Sequence, residues 1–484
     1  MSHEISVTGW GWRHAGRTEW AVRALDLVIQ PGERVLLLGE SGAGKSTLLA
    51  ALAGVLGGDD EGESEGSLTV GGQVPGESRG TVGLLLQDPD SQVVLSRIGD
   101  DVAFGCENLG VARDEIWPRV SDALASVGLD LPLDHPTGRL SGGQKQRLAL
   151  AGVLAMQPSV ILLDEPTANL DPGGVIEVRD AVARVAETTG ATMVIVEHRV
   201  DVWWGLVDRV VVLEPGGGVL ADGAPDDVLA EQGAALAARG VWVPGHEPVI
   251  RRTPLNVARD PVLRAEGLSV ARTKDSVIQS GIDLVVSAGR CLAISGANGS
   301  GKSTLGLTIG GLLAPAAGSV TAQTLAIGLK SADPLRWKSS ELVSRIGTVF
   351  QDPEHQFVSG TVRAELEIGA TAAGLNEPES RERIDLLVTR LRLQHLLDAN
   401  PFTLSGGEKR RLSVATALVT SPAVLILDEP TFGQDARTWA ELVAFIVELL
   451  ATGSAIVAIT HDERFIDAVA DEHLRLTTPA LASL

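Results

Sequence analysis

The chemistry of this chain rests on two glycine-rich loops, two pairs of adjacent carboxylates and two late histidines. The first loop runs Gly39, Glu40, Ser41, Gly42, Ala43, Gly44, Lys45, Ser46 and Thr47, after the apolar run 35–38 and before a helical pattern at 48–51. The second runs Gly296, Ala297, Asn298, Gly299, Ser300, Gly301, Lys302, Ser303 and Thr304, after the run 291–295. Strand, glycine loop and helix, in that order, form the context of a phosphate cradle. Glycines let successive backbone N–H groups converge on phosphate oxygens at a helix N-terminus. The lysine neutralises phosphate charge, and the serine hydroxyl can ligate magnesium. Further on, two apolar strand runs end in Asp164 and Asp428, and Glu165 and Glu429 follow directly. Adjacent acids at a strand end point in different directions. The first of each pair can hold a magnesium shell while the second polarises an attacking water, a division of labour that phosphoryl transfer needs.

These residues recur in register, so the second half of the chain restates the first. Lys45 and Lys302 lie 257 residues apart, whereas Gln87 and Gln351 lie 264 apart, which places a seven-residue insertion between those landmarks. From there the spacing holds: 54 residues from each glutamine to Ser141 or Ser405, 23 to each aspartate, then 34 to His198 and 33 to His461. Two large domains are the simplest division of 484 residues. We expect them at 1–230 and 262–484, joined by a linker at 231–261 that holds Pro244, Pro248, Pro254 and Pro261.

Apolar residues make up 44% and charged residues 21%, the balance of an ordered globular chain. A net charge of −22 repels phosphate backbones and anionic lipid alike, so no nucleic-acid partner is expected and membrane contact should go through protein. Cys106 and Cys291 have no metal-ligand or disulfide spacing and read as buried thiols. The first twenty residues lack the apolar run of a secretory signal, and the stretch 148–163 is broken by Gln157 and Pro158, short of the ~20 residues that span a bilayer. A cytoplasmic chain is expected.

Leu140-Ser141-Gly142-Gly143-Gln144 and Leu404-Ser405-Gly406-Gly407-Glu408 resemble the signature motif of ATP-binding-cassette ATPases. The resemblance covers nearly the whole chain, with Gln87 and Gln351 as Q-loop residues and His198 and His461 as switch histidines. It implies an α/β fold of two tandem ATPase domains, each a RecA-like P-loop core with an antiparallel β subdomain and a helical signature subdomain. It also implies ATP and Mg2+ as cofactors, with the ion held by Ser46, Gln87 and Asp164 in one copy and by Ser303, Gln351 and Asp428 in the other. Glu165 and Glu429 would act as general bases, His198 and His461 would contact the γ-phosphate, and the two domains would pair head-to-tail, each signature serving the opposite loop. Trp12 lies where the family usually has an aromatic stacked on adenine, with Trp10 and Trp20 as alternatives in the first copy, while the second copy has Ser269-Val270-Ala271 there. Ala168-Asn169-Leu170-Asp171 is similar to the usual D-loop, and the second copy replaces the leucine with Gln434. On these differences the site of Lys45 is expected to bind nucleotide more tightly.

The segments Gln87-Asp88-Pro89-Asp90-Ser91-Gln92 and Gln351-Asp352-Pro353-Glu354-His355-Gln356, with the run 101–108, resemble the ATPases of energy-coupling-factor systems, which import vitamins and transition-metal ions. That likeness implies a T-type transmembrane partner, a substrate-binding membrane component, and a place on the cytoplasmic face of the membrane. A tandem ATPase acting on the ribosome would be expected to join its domains by a long charged helix, and here the joining segment is broken by prolines. An iron–sulfur relative would need a cysteine cluster that two distant thiols cannot supply.

Overall fold

The computed structural model describes residues 2–40, 42–58, 61–168, 170–250, 252, 260–272 and 277–477. They fall into two compact units, Met1–Glu247 with Asp435–Arg437, and Pro248–Gln434 with Thr438–Leu484. The first unit has strands β1 (Ile5–His14), β2 (Val22–Ile29), β3 (Arg34–Gly39), β4 (Gly62–Val70), β5 (Val82–Leu85), β6 (Val160–Asp164), β7 (Thr192–Val196), β8 (Arg209–Leu213) and β9 (Val219–Gly223). An antiparallel sheet in the order β2-β1-β4 turns Ile5, Val7, Val22, Leu25, Leu27 and Ile29 into the core. The larger sheet runs β5-β6-β7-β3-β8-β9 and is parallel except for the final hairpin. Strands β3, β6 and β7 are unbroken apolar runs because a parallel sheet is covered on both faces. Helices Ile98–Asn108, Arg113–Ser126 and Gly142–Ala155 pack on one another as a helical layer.

The second unit repeats this plan with β10 (Pro261–Ala271), β11 (Val277–Ser287), β12 (Cys291–Gly296), β13 (Ala317–Thr321), β14 (Ile346–Val349), β15 (Val424–Asp428), β16 (Ala455–Ile459) and β17 (Glu472–Leu476). Its sheets run β11-β10-β13 and β14-β15-β16-β12-β17, the second wholly parallel. Helices Val362–Ala372, Glu377–Arg390 and Gly406–Val419 pack on one another as its helical layer, so each unit has the three expected parts. The longer segment between β13 and β14 has a packing role: Trp337 is buried in the second core beside Leu325 and Leu329, and its indole donates to the Ser331 carbonyl at 2.8 Å. At the matching place the first unit has a shallow cavity of about 340 Å³, lined by Ala53, Gly54, Val70, Pro75 and Val82 among others.

The joining segment differs from its expectation. Helix Pro225–Ala238 runs eight residues past 230, since a proline at its first turn and an Ala- and Leu-rich run favour helix more strongly than the later prolines oppose it. Val241, Trp242 and Val243 are buried, and Arg252 donates to the Val469 carbonyl at 2.8 Å while pairing with Asp471. Pro254, within 253–259, lies outside the described residues. Cys106 and Cys291 are buried and unbridged.

Candidate active sites

The loops leave β3 and β12 and enter helices Lys45–Leu52 and Lys302–Ile309 through left-handed glycines, Gly44 at φ 83° and Gly301 at φ 91°. A Cβ on Gly44 would lie 2.5 Å from the Ala21 carbonyl oxygen, and one on Gly301 would lie 2.8 Å from Ile278 Cγ2, so the turn needs glycine for room as well as for backbone angle. No side chain caps either helix start, which leaves first-turn N–H groups aimed outward as anion donors. Lys45 Nζ donates to the Gly39 and Glu40 carbonyls, both at 3.0 Å. Lys302 Nζ donates to those of Gly296 at 2.8 Å and Ala297 at 3.0 Å. The two lysines are 7% and 8% exposed, and burial holds the Lys45 amine below its ordinary pKa. Ser41, expected in the first loop, lies outside the described residues.

At the ends of β6 and β15 the carboxylates diverge because Glu165 and Glu429 take left-handed backbone angles, φ 46° and φ 50°. That conformation costs a non-glycine residue about 1 kcal/mol or more. It is fixed by Glu165 N–H donating to the Val196 carbonyl at 2.9 Å and Glu429 N–H to that of Ile459 at 2.8 Å. Asp164 accepts from the Ser46 hydroxyl and Asp428 from that of Ser303, so each serine and aspartate meet as a hard-oxygen donor pair that suits a divalent cation. Burial, then the charge of Glu165, pushes Asp164 up to about 6; burial likewise raises Asp428.

The second carboxylates are held differently. Glu165 accepts from Gln87 Nε2 at 2.9 Å and lies 3.2 Å from His198 Nε2. Burial works to raise its pKa, but the charge and hydrogen bond of His198, with Lys45 behind them, hold it below the ordinary value. Glu429 accepts from the Thr460 hydroxyl at 3.2 Å and lies 3.8 Å from His461 Nε2. Burial and the charge of Asp428 push it up to about 7. The backbone carbonyl of Gln351 accepts from Arg410, whose guanidinium also donates to the Phe350 carbonyl at 2.7 Å. Gln146 holds that position in the first unit and donates to the Leu86 carbonyl at 3.4 Å.

Ser141 with Gln144, and Ser405 with Glu408, form capping boxes that start helices Gly142–Ala155 and Gly406–Val419; Gly142, Gly143, Gly406 and Gly407 make the first turns. An ion pair joins Lys145 to Asp90, and another joins Lys409 to Glu354 at 2.6 Å. The signature helices are thus tied to the glutamine segments of their own units. Thr47 and Thr304 continue the loop helices.

Trp12 calls for a correction. Its ring is 5% exposed, embedded in the core of the first unit, and its indole donates to His14 Nδ1 at 3.2 Å. An aromatic so enclosed cannot offer a face to adenine. His14, two residues on, is exposed and brings Nε2 to 3.5 Å from the Thr47 hydroxyl. The strand pattern offered a signal: Trp10 and Trp12 continue the buried face of β1, while His14 ends it. Also missed were the buried Glu197, which precedes His198, and Asp462, which follows His461. In the D-loop segments Leu170 and Gln434 are both buried; Asn169 lies outside the described residues.

In sequence, the pattern of the ABC transporter family matches residues 22–168 and 280–432. A putative HMP/thiamine import ATP-binding protein, YkoD of Bacillus subtilis (strain 168), is 35% identical over 94% of this chain and 86% of its own length. A putative ABC transporter ATP-binding protein of Streptomyces avermitilis is 34% identical over 95% of this chain and 89% of its own. Among solved structures, a model of ribosome-bound archaeal Pelota and ABCE1 matches 96% of this chain and 76% of that one with TM-score 0.65 at 20% identity, a likeness of fold. No helix among the described residues is long and apolar enough to cross a membrane. Two matches in one polypeptide, each spanning a glycine loop and its carboxylates, place this chain in the ABC transporter family as an ATPase with tandem nucleotide-binding domains.

Proposed function

We propose that the chain energises an energy-coupling-factor type importer of a vitamin or transition-metal ion, seated peripherally on the cytoplasmic face of the membrane through a T-type transmembrane component, with a separate membrane component binding the solute. The observation that carries this reading is a repeated exposed apolar pair beside each glutamine segment. Val94 is 58% exposed and Val358, its counterpart, 74%; Phe104 is 38% exposed and Ile368 45%. A carboxylate braces each site: Asp101 accepts from Val94 and Leu95 N–H at 2.8 and 2.7 Å, and Glu365 from Val358 and Ser359 N–H at 2.9 and 2.8 Å. Apolar side chains fixed outward at equivalent positions of both units suit a pair of short helices from a membrane partner. The relative named for HMP/thiamine import supports the importer class.

In this reading Lys45 and Lys302 neutralise phosphate charge, and the loop N–H groups orient the phosphates. Glu165 and Glu429 take a proton from the attacking water, while His198 and His461 hold those carboxylates and reach the γ-phosphate. Ser46, Gln87 and Asp164, and Ser303, Gln351 and Asp428, would hold magnesium, which supplies charge neutralisation when bound. Affinity purification from detergent-solubilised membranes tests the assignment: small polytopic membrane proteins should come with the chain. Recovery of ribosomes without any integral membrane protein would overturn it.

A further inference from the structure

The two switch loops use different residues to reach the same threonine. Thr167 and Thr431 lie 264 residues apart, the register of the repeat, each three residues after its aspartate. In the first unit Thr167 donates through its N–H, at 2.9 Å, and through its hydroxyl to Glu197 Oε1. The other oxygen of Glu197 accepts from His198 N–H at 2.9 Å and Arg199 N–H at 3.2 Å. In the second unit Thr431 donates at 2.8 Å to Asp462, on the far side of the histidine; Asp462 also accepts from the Trp439 indole at 2.6 Å. The residue before His461 is then Thr460, and its hydroxyl donates directly to Glu429.

Glu197 gives both oxygens to the four donors supplied by Thr167, His198 and Arg199. Glu197 is 4% exposed, and in that setting hydrogen bonds to a charged acceptor are strong. Two of those donors are the backbone N–H groups of the histidine and its successor, so the bonds fix how the loop presents the ring. The two histidines also differ in distance: 3.2 Å from His198 Nε2 to Glu165, against 3.8 Å from His461 Nε2 to Glu429.

We propose that Glu197 is the positioning residue that seats His198 against Glu165, and that in the second unit Asp462 carries the tie to the threonine while Thr460 serves the carboxylate directly. The inference rests on the reading of Glu165 and Glu429 as the bases of ATP hydrolysis. It is tested in the full chain carrying Glu429→Gln, so that turnover reports the first unit. Glu197→Thr should lower kcat about tenfold and leave KM for ATP within about twofold, since a tilted histidine affects the chemical step and not ground-state binding. Adding Arg199→Asp to Glu197→Thr rebuilds the Thr-His-Asp order of the second unit and should return kcat to within about threefold of the starting chain. Glu197→Gln preserves shape but sets an amide N–H against backbone donors, and should show the same kcat loss with an unfolding midpoint close to that of the parent. Unchanged kcat in Glu197→Thr and Glu197→Gln, or a double variant no faster than Glu197→Thr, would overturn the proposal. Failure of the hydrolysis reading looks different, because adding Glu165→Gln to the Glu429→Gln chain would then leave turnover undiminished whatever stands at 197.

Discussion

Two sites built from the same landmarks shift the proton affinity of their second carboxylates in opposite directions. Glu165 is surrounded by donors, with Gln87 on one oxygen and His198 on the other, and stays ionised below the ordinary carboxylate range. Glu429 has the Thr460 hydroxyl, the His461 N–H at 3.5 Å and a more distant imidazole, sits against Asp428, and is raised to about 7. The strand end, the left-handed backbone and the neighbouring aspartate are shared, so the difference comes from the glutamine segment and from the loop around each histidine.

The sharpest way to break this comparison is a pair of substitutions with opposite expected signs. Glu429 holds its proton more tightly folded than unfolded, so stability is fullest below its ordinary value of 4.5 and declines as pH rises towards 7. Glu429→Gln removes that decline and should stabilise the second unit at pH 8 by on the order of 2–3 kcal/mol, with little effect at pH 4. Glu165 holds its proton less tightly folded, so it contributes stability above 4.5 that is lost as pH falls further. Glu165→Gln should therefore destabilise the first unit at pH 8. Thermal melts of the nucleotide-free chain at the two pH values check both; shifts of the same sign would end the comparison.

A smaller effect is expected at His14, whose counterpart is Ala271. Burial and the charge of Arg17 lower its pKa, so the ring is neutral at pH 7 and free to stack on a base. His14→Ala should weaken ATP binding at the first loop about tenfold, near 1.4 kcal/mol, by titration calorimetry in a Lys302→Ala chain. Equal affinity with and without the ring would remove His14 from the site. The smallest expected change is at Ala24, exposed and strained at φ 50°, where the second unit has Gly281 at φ 69°. Ala24→Gly should raise the stability of the first unit by about 1 kcal/mol in urea unfolding. A loss of stability would show that Ala24 is not strained.

Spacing along the chain made most of the site legible. Glycine loops, paired acids, glutamines and histidines leave sequence marks because each residue type is needed at a fixed place along a strand–loop–helix path, and the structure gathers them at the same ends of β3, β5, β6 and β7. What stayed hidden depends on backbone angle or on which way a side chain turns. The left-handed angle at Glu165 has no signature of its own. Trp12 and His14 share the same face parity on β1, and only the end of the sheet decides that one is enclosed and the other open. Glu197 resembles any polar residue ahead of a loop until its four donors are seen. The helix Pro225–Ala238 was obscured by the prolines that follow it, although its own Ala-rich composition favoured it.

Steady-state ATP hydrolysis by the full chain carrying both Glu165→Gln and Glu429→Gln measures most directly whether these two carboxylates serve as the bases of two competent sites. The double variant should bind ATP with affinity within a few-fold of the parent, while turnover falls by about a hundredfold or more for want of a base. Undiminished turnover would contradict that role.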